Sequence, residues 1–137
     1  MLSGGGSSAQ SQLSQVLSRE QQVLSLIDTY GENVRSQEVN NEIASIKALT
    51  QSNVRTLTSN GIQAAQAADQ QLTNSQIEQQ ISNATSSSSF DSVFLNALKD
   101  QLGNNTVLLQ SALSETTNAQ FKAKLETIIV NEQSLVN

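Results

Sequence analysis

Apolar residues along this 137-residue chain recur at three- and four-residue steps, the period that lines one face of an α-helix. From about Ser11, the positions Leu13, Val16, Leu17, Val23, Leu24, Ile27 and Tyr30 predict a first helix. It should end near Gly31, where a glycine can take the left-handed conformation that closes helices. Ser36 has the side chain of an N-cap, and Val39, Ile43, Ile46, Leu49, Val54 and Leu57 predict a second helix as far as about Asn60 and Gly61. So short a link makes the two helices antiparallel neighbours. The plan then returns: Phe90, Val93, Phe94, Ala97, Leu98, Leu102, Leu108, Leu109, Ala112 and Leu113 mark a third helix, with Gly103 expected to weaken or bend its middle. Asn118 caps a fourth helix, whose stripe is Phe121, Leu125, Ile128, Ile129, Leu135 and Val136. Segments 36–46 and 118–128 align without gaps, Val39, Ile43 and Ile46 standing where Phe121, Leu125 and Ile128 stand.

These elements define an all-α chain, an antiparallel four-helix bundle made of two helical hairpins at about 11–60 and 90–137. The connection between them, about 61–89, begins with an Ala- and Gln-rich stretch that either prolongs the second helix or crosses over. It then carries Ile77, Ile81 and Ala84 at helical spacing, which predicts a short extra helix, and ends in the serine-rich loop 85–89. Residues 1–10, with three consecutive glycines among serines, read as a flexible leader. A period near 3.6 argues against strands, and the breaks near Gly31, Gly61 and the serine run argue against one long coiled coil.

Composition narrows what such a bundle can do. Gln, Asn, Ser and Thr supply 62 of the 137 residues, while only 14% are charged, so the surface is polar without being highly ionic. A net charge of -5 with seven scattered basic residues gives no footprint for phosphates, which disfavours nucleic acid and anionic membranes. No apolar run reaches the length of a membrane span, and the start of the chain lacks the layout of a signal peptide. Cysteine is absent, which removes disulfides and thiolate chemistry; histidine is absent too, which removes the commonest neutral-pH acid/base and transition-metal ligand. Serine nucleophiles therefore have no histidine base, and no substrate-directed constellation or cofactor motif is recognisable.

Two acids interrupt the apolar stripes. Glu20 falls between Leu17 and Leu24 in the first helix, and Glu132 between Ile129 and Val136 in the fourth, so both point toward the interior. Thr50 lies near the second stripe, and Gln101 and Asn105 near the third, which predicts a central polar layer. Such a layer fixes helix register; the sharper alternatives are a hard-cation site built from oxygen, with Glu20, Glu132, Thr50 and Gln101 as candidate ligands, or a general acid/base pair.

The stretch "FDSVFL", 90–95, resembles the Phe-Asp-x-x-Phe/Tyr-Leu opening of a helix in small, often exported bacterial branches of the ferritin-like superfamily, and Ser36, Glu38 and Val39 match their Ser-x-Glu-Val start. The resemblance spans about 11–137 and implies a ferritin-like bundle and a place outside the cytoplasm. Where those relatives commonly carry histidines, this chain has Thr50 and Gln101 or Leu102, so the metal chemistry of the superfamily does not carry over with the fold. The expectation is a non-enzymatic structural or protein-interaction module without cofactor, associating with a protein partner or with itself. The alternatives are a divergent, stress-related metal binder using oxygen ligands, and a subunit of a helical filament or coat with the Ala-rich segment 64–68 as its contact strip.

Overall fold

A computed structural model describes the backbone of residues 4–63 and 67–136, and the side chains of 9–63 and 76–136. Within these limits the chain is all-helical, with α1 at Gly4–Tyr30, α2 at Gln37–Ser59, α3 at Ala67–Ala84, α4 at Phe90–Glu115 and α5 at Ala119–Val136. Helix α1 starts earlier than the sequence pattern suggested: residues 4–10 of the expected leader continue it, and Ala9 is buried beside Leu13 and Val16. Once packing has paid the nucleation cost, each further residue adds a hydrogen bond, so the helix extends into poor helix formers. Residues 1–3 lie outside the described residues.

The boundaries follow local chemistry where a cap is present. Ser36 Oγ accepts from the Val39 amide at 3.3 Å and opens α2. Asn118 Oδ1 accepts from the Phe121 amide at 2.9 Å and opens α5. Gly61, at φ 87°, closes α2: the Gly61 amide bonds Thr58 O and the Ile62 amide bonds Leu57 O, each at 3.1 Å, while buried Ile62 and Leu57 join one cluster. Gly31 behaves differently from expectation. It does not turn left-handed; α1 tightens into one 3-10 turn, Gly31–Asn33, and Val34 leaves in extended conformation with its side chain buried. Gly103 does not interrupt α4, which runs unbroken beneath it because Leu102, Thr106 and Leu109 on either side are held in the interior. In the connection, α3 is longer than the short helix expected, and its Ile81 and Ala84 are buried.

The motif "FDSVFL" acquires a physical role here. Asp91 reaches from α4 to the start of α2, Oδ1 accepting from the Arg35 amide at 3.1 Å and Oδ2 from the Ser36 amide at 2.8 Å. The carboxylate thereby satisfies amides just ahead of α2 and ties the two hairpins together. Asp91→Ala is expected to cost about 1–2 kcal/mol in urea denaturation, and Asp91→Asn less, since one acceptor is retained.

Helix α1 packs most extensively on α4, then on α2; α5 packs on α4 and more lightly on α2; α3 rests on α4 and α1. Two separate apolar clusters fill the interior. The upper one holds Val23, Leu26 and Ile27 of α1, Ile43 and Ile46 of α2, Ile81 of α3, and Phe90, Phe94, Leu98 and Leu102 of α4. The lower one holds Leu13, Val16 and Leu17 of α1, Leu57 of α2, Leu109 and Ala112 of α4, and Leu125, Ile128 and Ile129 of α5. Along the chain, α1 and α5 therefore climb from lower to upper cluster while α2 and α4 descend. Two consecutive hairpins with that sense need a link spanning their length, and α3 supplies it: Ile62 before it lies in the lower cluster and Ile81 near its end in the upper. No helix among the described residues is long and apolar enough to cross a membrane.

Candidate functional site

Between the two clusters lies a level of polar side chains, and every helix that spans both clusters contributes to it. Glu20 follows Val16 and Leu17 and precedes Val23 on α1; Glu132 follows Ile128 and Ile129 on α5; the 3.6-residue period turns each carboxyl inward with its apolar neighbours. Thr50 and Asn53 continue the Ile46–Leu57 stripe of α2, and Gln101 and Asn105 that of α4. All six are buried, with Glu20, Thr50, Asn105 and Glu132 at 0% exposure. Thus Glu20, Glu132, Thr50, Gln101 and Asn105 all reach the interior level expected of them.

What they do there differs. Asn53 Nδ2 donates to Glu20 Oε1 at 2.8 Å. Glu132 and Asn105 also act on Glu20, and Glu20 is the one charged neighbour acting on Glu132, so the two acids face each other as a pair. Thr50 turns away from the pair, its hydroxyl donating to Ile46 O at 2.6 Å. Gln101 Oε1 is buried without a partner and makes no bond to either acid. Among the described residues, no third acid joins the pair.

Two ionised carboxylates face to face have no hydrogen between them, and Glu20 Oε2 and both Glu132 oxygens are buried without a hydrogen-bond partner. One proton joins an oxygen of each acid and leaves the second Glu132 oxygen buried without a partner. Burial, then the Glu20 charge, then the hydrogen bond to Glu20 push the Glu132 carboxyl up to about 11. Burial also raises Glu20, against the opposing pull of the Glu132 carboxyl and of the Asn53 amide, and least of Asn105, whose Nδ2 stays without a hydrogen-bond partner. At neutral pH Glu132 is therefore protonated and is the donor of the pair, with Glu20 as its acceptor. No lysine or arginine is among the groups acting on either.

Sequence reasoning found the two acids because each breaks an apolar stripe. It missed Asn53, although the spacing Ile46, Thr50, Asn53, Leu57 places it on the same face. The signal was available, but in a chain with 13 asparagines one more on a stripe does not stand out.

Comparison of the chain with protein-family models, with curated proteins and with solved structures finds no match.

Proposed function

We propose that the chain is a ferritin-like, antiparallel four-helix bundle, with α3 as the extra helix of its long connection, acting without catalysis as a structural or protein-interaction module. The cyclic packing α1–α2–α5–α4 and the common sense of α2 and α4 support the bundle reading, since one lengthwise crossover between two hairpins is the ferritin-like connection. The observation that carries the functional reading is the polar level itself: its two acids face each other, Glu20 is held by Asn53, and the other side chains of the level are neutral. Such a layer fixes the register of four helices, because a slip of one turn would strand a carboxyl in an apolar cluster. What remains for recognition is the outer surface, rich in Gln, Ser and Asn, on which a protein partner or a second copy would dock.

One observation favours a second reading, a divergent bundle binding a hard cation. Glu20 Oε2, Glu132 Oε1 and Oε2, Asn105 Oδ1 and Gln101 Oε1 are buried oxygens without a hydrogen-bond partner, and oxygen is the ligand that magnesium or calcium takes. Protein purified without chelator is expected to carry no stoichiometric metal. One ion per chain that disappears in both Glu20→Gln and Glu132→Gln would replace the first reading with the second. The filament reading pointed to segment 64–68, which lies outside the residues whose side chains are described.

A further inference from the structure

Of the four seams around the polar level, that between α2 and α5 is the least extensive. Two solvent grooves lie along it, one on each side of the level. The lower, of about 230 Å³, is lined by Ser52, Thr56, Lys124 and Asn131, with buried Asn53 and Ile128 in its wall. The upper, of about 190 Å³, is lined by Glu42, Ser45, Lys99, Ser134 and Leu135, with Lys99 and Glu42 paired across it at 3.7 Å. Asn53 belongs both to the lower groove and, through its bond to Glu20, to the buried pair.

We propose that the α2–α5 seam is an opening built into this fold: when the Glu20–Glu132 pair loses its shared proton, α5 parts from α2 at the level of Asn53 and admits water to the pair, while α1 and α4 stay packed together. The groups at the level of the pair are Glu20 on α1, Asn53 on α2 with the Thr50 hydroxyl turned to its own helix, Asn105 and Gln101 on α4, and Glu132 on α5. Of these only the two glutamates titrate, so no cation inside the level can neutralise a second negative charge. Two carboxylates in a dry interior repel, and relief comes from water. The shortest supply is the seam already flanked by grooves, whereas the α1–α4 seam is closed by Leu17, Leu98, Leu102 and Leu109, all but fully buried. Lys124 and Lys99 stand in the two grooves, where they would meet the charge once water has entered. The opening holds whether or not the chain is an interaction module.

The absence of cysteine makes the test clean, since a single introduced thiol reports on one position. Ile128→Cys places it in the wall of the lower groove, and Ala112→Cys places it in the lower cluster on α4. Labelling by a small thiol reagent, taken as the ratio of folded to denatured rate, is expected to rise about tenfold at position 128 between pH 7 and pH 10 and to stay level at position 112. Adding Glu132→Gln should abolish the rise. Equal gains at both positions would mean global unfolding, and a gain that survives Glu132→Gln would place the trigger elsewhere; either result overturns the proposal, as does no gain at all. Amide exchange of the unsubstituted chain reads the same event without a mutation: protection lost around residues 50–57 and 128–135, and kept in α1 and α4, is the supporting pattern.

Discussion

Glu132→Gln is expected to stabilise the protein, and to do so more as the pH rises. Glutamine has the shape of the protonated acid and keeps a donor for Glu20, with Nε2–H in place of the carboxyl O–H. The wild-type carboxyl ionises in the unfolded chain near its ordinary value of 4.5 but is held up to about 11 in the folded one. Between those values the folded state binds more protons than the unfolded state, so stability from this group is fullest below about pH 4.5 and falls as pH rises toward the folded value. Glutamine has no such slope. The variant should match wild type near pH 4.5 and exceed it by on the order of a few kcal/mol at pH 8, since each pH unit between the unfolded and folded values is worth up to about 1.4 kcal/mol. Thermal melts at the two pH values measure this, and a melting temperature lowered equally at both would dissociate the acid pair from the pH dependence. Glu20→Gln should gain less, because Glu20 accepts from Asn53 and an amide offers one acceptor oxygen where a carboxylate offers two.

Phe94→Ala carries the largest loss. Phe94 has 0% exposure and is where three rings meet: its centroid lies 5.4 Å from Phe90 in a stacked pair and 6.3 Å from Tyr30 in an edge-on one. Removing it leaves a cavity bounded by α1 and α4, the most extensive contact of the molecule, which has little freedom to collapse. A loss of about 3–5 kcal/mol is expected, roughly the whole stability of a weak domain, read as a lower urea midpoint or as failure to fold. Phe94→Leu, which retains most of the volume, should recover a substantial part. Equal midpoints for wild type and Phe94→Ala would contradict the packing described for the upper cluster.

The parts of this fold that the sequence revealed are those set by local chemistry. Ser36, Asn118 and Gly61 mark helix ends because a side-chain acceptor or a left-handed glycine acts within four residues of its own position. The start of α1, the 3-10 turn after Tyr30 and the length of α3 depend on what packs alongside, and no local rule contains that information. The same division runs through the candidate site. Glu20 and Glu132 betray themselves by standing in apolar stripes, but that they face each other depends on the relative height of α1 and α5, which are far apart in sequence and not the closest neighbours in space. Asn53 shows the limit from the other side: its face could be read, while the bond to Glu20 that distinguishes it from twelve other asparagines could not.

The polar level also insulates. Since the upper and lower clusters share no buried residue, a misfit in one is not passed by apolar contact to the other. Errors introduced near Phe94 and near Leu125 should therefore accumulate as independent debts, and the chain can tolerate drift in either half so long as the carboxyl pair keeps both halves aligned.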